Sequence, residues 1–193
     1  KSEGEWVGVN FEELATDTIS AIDFIKHQQK FEYSTIGLLG MSQGGWIAPV
    51  VAAKTDDVSF VVSMSGAAVT TEDQLLHEEI CNIAPYTYTF LAKIIARVSS
   101  RNLMKKAFFI PTAGFDPIPY WKDVQVPVFF ALGGNDENVP VGASIQRLKE
   151  NNLNHFNMKI YPDGGHAIRD IQTNKVNEVY LYDLVNFIKE AKL

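Results

Sequence analysis

Apolar positions follow two alternating rhythms along this chain. Asn10 and Glu13 stand at the spacing of a capping box, and Phe11, Leu14, Ala15, Thr18, Ile22 and Ile25 then recur at helical steps, which predicts an amphipathic helix over residues 11–29. The run Thr35-Ile36-Gly37-Leu38-Leu39-Gly40 does not alternate, so it suits a strand covered on both faces, as in a parallel sheet. A helix over residues 44–53, carrying Trp46, Ile47, Val50 and Val51, and a second all-apolar strand over 58–64 continue the series.

Between residues 69 and 122 the texture changes. Residues 73–83 and 90–106 read as helices, while Pro85, Pro111, Pro117 and Pro119 interrupt the segment, which therefore reads as a helical cap inserted into the strand and helix alternation. Its aromatics, Tyr86, Tyr88, Phe90, Phe108, Phe109, Phe115, Tyr120 and Trp121, either line a substrate pocket or form the cap's own core.

The alternation resumes with a strand over 126–132, a helix over 141–151, a strand over 156–161 and a closing helix over 173–191. Strands alternating with helices predict an α/β fold with a doubly wound, mostly parallel sheet. In such sheets sites form beyond the carboxyl ends of the strands. Chemistry is therefore expected just after residues 40, 64, 132 and 161.

Composition narrows the class. With 46% hydrophobic and 21% charged residues, the 193-residue chain has enough apolar surface for one compact domain. A net charge of -6, with lysine and arginine spread thinly and no basic run, excludes a nucleic-acid footprint. The single cysteine, Cys81, rules out an internal disulfide framework, and no Cys/His spacing of the structural-zinc kind occurs. Carboxylates are plentiful enough for a surface calcium site, but no metal is expected in the chemistry. The longest apolar runs fall far short of the roughly twenty residues that span a bilayer. Residues 1–6 are polar and loop-like, with neither an initiator methionine nor a signal-peptide pattern, so the chain looks cut and its localisation stays open.

Gly40-Met41-Ser42-Gln43-Gly44 matches Gly-x-Ser-x-Gly, between a predicted strand and a predicted helix, which is the context that gives the motif meaning. There a serine sits in a strained, very tight turn, and the glycines on either side are expected to prevent collisions with the neighbouring strand and helix. Ser42 is the candidate nucleophile, and the Gln43 N–H, opening the helix, is the candidate oxyanion donor. The bland alternative is a Gly/Ser-rich turn that merely starts a helix. A serine hydroxyl needs a base. His166 follows Asp163-Gly164-Gly165 just beyond a strand end, whereas His27 falls in the first helix, His77 in the cap and His155 at the opposite edge of the sheet. Asp136, just past the strand ending at Leu132, precedes the histidine in sequence and suits the orienting acid, with an Asx-turn role as its alternative. Glu137 is the nearest rival; Asp116, Asp163 and Asp170 are less well placed.

With these residues in view, the chain resembles the α/β-hydrolase superfamily, and within it the dienelactone-hydrolase and prolyl-oligopeptidase-like serine hydrolases. The resemblance rests on Gly-Met-Ser-Gln-Gly-Gly-Trp at 40–46, Asp-Pro-Ile-Pro at 116–119, Val-Pro-Val at 126–128, Gly-Gly-Asn-Asp at 133–136 and Gly-Gly-His at 164–166. It covers the chain apart from the cap. It implies hydrolysis of a small-molecule ester, thioester or amide through an acyl-enzyme on a Ser42, His166, Asp136 triad, with no cofactor. The alternatives are an aminopeptidase or acyltransferase on the same triad, or a catalytically silent relative that only binds a ligand. The superfamily usually has about four strands ahead of the helix before the elbow, and an early loop among them supplies the second oxyanion N–H. Residues 1–4 resemble the end of the loop after the fourth strand, so roughly the N-terminal third is expected to be missing. Losing one oxyanion donor costs on the order of 10²–10³ in rate. The isolated chain is therefore expected to be inactive or very weak, and to dimerise or aggregate through the sheet edge at 35–40.

Overall fold

The computed structural model describes residues 7–28 and 32–191. The reading of residues 1–4 and the end of the first helix at residue 29 lie outside this range. Four strands, β1 (Gly37–Met41), β2 (Phe60–Met64), β3 (Val128–Gly133) and β4 (Asn157–Tyr161), pair in parallel in the order β1-β2-β3-β4. Consecutive parallel strands must be joined by crossovers. These are α2 (Gly44–Lys54), the segment holding α3 (Thr71–Ile83), α4 (Thr89–Leu103) and α5 (Ile118–Asp123), and α6 (Val141–Glu150). The helix α1 (Phe11–His27) precedes β1, and α7 (Glu178–Glu190) closes the chain. The sheet is thus α/β and parallel, with helices on both faces.

Alternate residues of the strands feed two cores. Val61, Phe130 and Leu132 pack with Trp46, Val50 and Val51 of α2, Trp121 of α5 and Leu148 of α6. Phe60, Val62, Phe129 and Ala131 face the other way, against Tyr180 and Phe187 of α7. The central strands β2 and β3 are covered on both sides, which is why they are apolar at nearly every position. β1 is not covered on both faces as its unalternated sequence suggested, and is exposed as expected for the edge at 35–40: Leu38 joins the first core, but Leu39 is 53% and Met41 48% exposed. Among the described residues β1 is an edge strand, and α7, which packs on Phe60 and Phe129, leaves its second face open.

Local signals explain the element ends. The Asn10 side chain accepts from Glu13 N–H while the Glu13 carboxylate accepts from Asn10 N–H, each at 2.9 Å, completing the capping box. α7 starts at Glu178 rather than 173, because the Asp170 carboxylate accepts from the N–H groups of Gln172 and Thr173 and holds a turn there, and Asn177 then caps the helix. α4 ends at Leu103, short of 106. α5 is a helix that the prolines concealed; Pro117 and Pro119 sit at its N-terminal end, where a missing N–H costs nothing.

The aromatics of residues 69–122 divide three ways. Phe108 and Phe109 line a cavity. Phe115 packs edge-on against Phe11, Tyr120 stacks on Phe115, and fully buried Trp121 meets Phe130 and Phe156, so these three belong to the main core. Tyr86, Tyr88 and Phe90 are exposed and serve neither role. No helix among the described residues is long and apolar enough to cross a membrane.

Candidate active site

The carboxyl ends of the four strands gather Ser42 after β1, Ser65 after β2, Asp136 after β3 and His166 after β4. Ser42 has φ +52°, the left-handed conformation that costs a non-glycine residue strain and is tolerated where the surroundings over-determine it. Two constraints act on this turn: Ser42 N–H donates to Met64 O (2.9 Å), and Gly45 N–H donates to Ser42 O (2.8 Å). A Cβ on Gly40 would lie 2.1 Å from the carbonyl oxygen of Gly44, and one on Gly45 would lie 2.6 Å from the Gly66 Cα. The second glycine of the motif behaves differently from expectation. A Cβ on Gly44 meets nothing, because that position looks away from the sheet while Gly45 faces the loop after β2.

Gln43 is the N-cap of α2, and among the described residues no acceptor takes its N–H. The group stands at a helix start, where unpaired N–H groups and the helix dipole favour developing negative charge.

His166 and Asp136 are brought together. Nδ1 of His166 lies 3.0 Å from Oδ2 and 3.1 Å from Oδ1 of Asp136. A carboxylate only accepts, so Nδ1 donates and Nε2 is the nitrogen left to take a proton. The Asp136 side chain is fully buried, and its Oδ1 also accepts from the N–H groups of Asn138 (2.9 Å) and Val139 (3.1 Å). The carboxylate is therefore fixed before it meets the imidazole. The hydrogen bond to Asp136 raises the His166 pKa above the ordinary histidine value, burial opposes it, and the charges of Asp136 and Glu78 add to the rise.

Loop packing sets this pairing. Asn135 N–H donates to Gly164 O (2.9 Å) and its side-chain amide donates to Pro162 O (2.7 Å), tying the loop after β3 to the loop after β4. His166 opens a single 3-10 turn, His166–Ile168, in which Ala167 and Ile168 both have positive φ. Ala167 N–H donates to the buried Ser65 Oγ (3.1 Å), which pins the turn to the end of β2. Ser65 is itself strained at φ +52°, and its own N–H donates to Ala131 O (2.8 Å). Hydrogen bonds thus step across the strand ends from Ser42 to the histidine turn. The sequence reading did not single out Ser65; its one signal was a serine directly at a strand end where chemistry was expected.

Ser42 and His166 are not directly joined: no hydrogen bond among the described residues links Ser42 Oγ to the imidazole. Such contacts commonly tighten only with substrate bound. The other candidates are occupied elsewhere. Asp116 pairs with Arg147 at 2.6 Å, Asp170 holds its turn, Glu137 and Asp163 are exposed, His27 contacts the Asp23 carbonyl, His77 contacts Cys81, and the His155 ring packs on Phe156.

A cavity of about 390 Å³ opens beside Ser42. Ser42, Gln43 and Ser65 line it together with the apolar side chains of Leu14, Trp46, Phe108 and Phe109, and Glu78 is the one charged side chain among the described residues lining it. Trp46 is held by its indole N–H, which donates to Ala67 O (2.7 Å), and by a tilted contact with Phe11. Among the described residues no three His, Cys, Asp or Glu side chains come together in a way that holds a metal ion.

The sequence signature of the family described as BAAT / Acyl-CoA thioester hydrolase C terminal matches residues 19–170. Among solved structures, the Pyrococcus furiosus esterase Pf2001 superposes with a TM-score of 0.70 at 19% identity, over 98% of this chain and 66% of its own. The α/β hydrolase GrgF from Penicillium sp. sh18 superposes with a TM-score of 0.67 at 13% identity, over 100% of this chain and 76% of its own. The Pyrococcus horikoshii acylaminoacyl peptidase gives 0.61 at 18% identity, over 94% of this chain and 28% of its own. No curated protein matches the sequence. The chain thus spans just under two thirds of the length of the Pyrococcus furiosus esterase. The parallel sheet, the strand-end loops and the span of the family signature agree, and the chain belongs to the BAAT / acyl-CoA thioester hydrolase C-terminal family, with the α/β-hydrolase fold.

Proposed function

We propose that this chain is the catalytic part of a serine hydrolase that cleaves an ester, thioester or amide of a small molecule through an acyl-enzyme. Ser42 Oγ attacks the substrate carbonyl and passes its proton to Nε2 of His166. Asp136 holds the imidazole in the tautomer that accepts that proton and stabilises the imidazolium. The Gln43 N–H donates to the oxyanion. As the bond to the leaving group breaks, His166 returns the proton to that group, and water then releases the acyl group by the same route in reverse. No step calls for a cofactor or a metal.

The observation that carries this reading is the fixed Asp136–His166 pair at the strand ends that also present Ser42 in a strained turn over a cavity. Family membership supports the hydrolase class, and its description names a thioester. The described cavity walls are mostly apolar and hold no lysine or arginine, which suits an acyl group better than an anionic one. Treatment of the whole protein that carries this chain with a fluorophosphonate is expected to label it at Ser42 and to leave Ser42→Ala unlabelled. A wild type that takes no label overturns the proposal and favours a relative that only binds its ligand. On the oligomeric state, the open edge and half-exposed face of β1 support pairing of two copies there.

A further inference from the structure

α4 is amphipathic the wrong way round for a helix that only serves a core. The face turned toward the protein carries the small residues Ala92, Ala96 and Ser100, all buried. Its bulky apolar residues, Phe90, Leu91, Ile94, Ile95 and Val98, point to solvent, with Phe90 63% and Val98 58% exposed. Tyr86 and Tyr88, just before the helix, are more exposed still. At helical spacing these apolar side chains form one continuous arc, about 140° wide.

The charge around that arc is one-sided. Lysines and arginines that look thinly spread are, across residues 80–115, unmixed with any aspartate or glutamate, although the chain as a whole is at -6. The segment carries Lys93, Arg97, Arg101, Lys105 and Lys106, all exposed, and none joins an ion pair among the described residues. On α4 itself, Lys93, Arg97 and Arg101 follow one another along a single edge of the apolar arc. Aliphatic and aromatic side chains bordered by unpaired cations, with tyrosines at one end, are the composition of a helix lying in the headgroup plane of a bilayer.

We propose that α4, with the residues flanking it, is a docking surface for an anionic lipid bilayer. Apolar side chains enter the acyl boundary while the cations meet acidic headgroups, each basic residue contributing to the attraction. The same segment runs on to Phe108 and Phe109 in the cavity wall, so docking sets the cavity mouth close to the lipid. The inference stands on α4 alone and does not depend on the hydrolase reading.

The test is partitioning of the 193-residue chain onto large unilamellar vesicles. Wild type is expected to bind vesicles of 70 mol % phosphatidylcholine and 30 mol % phosphatidylserine at least about tenfold better than phosphatidylcholine alone, and to lose most of that preference at 0.5 M salt. The triple variant Lys93→Glu, Arg97→Glu, Arg101→Glu is expected to bind the acidic vesicles at least about tenfold more weakly. Phe90→Ser with Ile94→Ser is expected to bind more weakly at every lipid composition. All these positions are exposed, and an unchanged melting transition is the control for folding. Equal binding to both vesicle types, or variants that bind like wild type, overturns the proposal. So does a dimer in solution that Phe90→Ser and Ile94→Ser dissolve while vesicle binding is absent, since that result assigns the face to a second copy of this chain.

Discussion

The His166 imidazole is pulled in two directions, and the balance has a measurable consequence. Its bond to Asp136 favours the charged form, burial disfavours it, and Glu78 on α3 together with the Asp136 charge tips the outcome upward. In the proposed mechanism His166 must be neutral before reaction, so kcat/KM for an ester substrate is expected to rise with pH through a midpoint above the ordinary histidine value. Asp136→Asn removes the largest cause: the midpoint is expected to fall, and the rate to drop on the order of 10⁴-fold as the tautomer is lost. An unchanged midpoint in that variant would sink the role given to Asp136. The sign for stability is opposite to that for activity. The pair contributes fully below the ordinary histidine pKa, and its contribution is lost as pH rises through the raised one. The proximity of Asp136 and His166 was expected because each follows a strand, β3 and β4, with the acid ahead of the histidine as the resemblance implies. Ser65 was not, since its part depends on a hydroxyl accepting from Ala167, a residue distant in sequence that only the fold brings to it.

At the scale of elements, the turn from β1 into α2 is defined by what it cannot contain. Gly40 faces the backbone of Gly44, and Gly45 faces Gly66 and the Ser63 hydroxyl, so neither has room for a methyl group unless strand and helix separate. Alanine at either position is expected to lower stability by about 1–3 kcal/mol or more, as overpacking does. Gly44→Ala meets open space and lies in the helix, so it is expected to be neutral or to stabilise by up to about 1 kcal/mol. Urea unfolding of the three variants checks this, and equal losses for all three would refute it. The motif was legible in sequence; which glycine of the pair at 44 and 45 is sterically required was not, because that depends on where the loop after β2 passes. The same holds for α5. Its prolines read as breakers until Trp121 is seen against Phe130 and Phe156, which makes the short helix part of the core. The unalternated apolar run ahead of Ser42 correctly indicated a strand, but whether both faces are covered is a property of its neighbours.

For the whole molecule, the sheet has two unequal sides. Among the described residues β1 and β4 both end the sheet: β4 places Tyr161 in the α7-side core, whereas β1 leaves Leu39 and Met41 half in solvent. An open parallel edge with apolar side chains invites another strand. Sedimentation of the 193-residue chain is expected to show a concentration-dependent dimer, weakened by Leu39→Lys, which keeps the strand but charges its open face. A chain that stays monomeric up to high micromolar concentration would rule this contact out.

Trp46 sits with one side in the main core and the other at the cavity wall, its indole N–H already committed to Ala67. Whatever enters beside Ser42 alters the polarity that this ring senses while leaving its anchor in place. The molecule therefore carries an intrinsic optical gauge of occupancy, able to signal the arrival of a guest even in the Ser42→Ala variant.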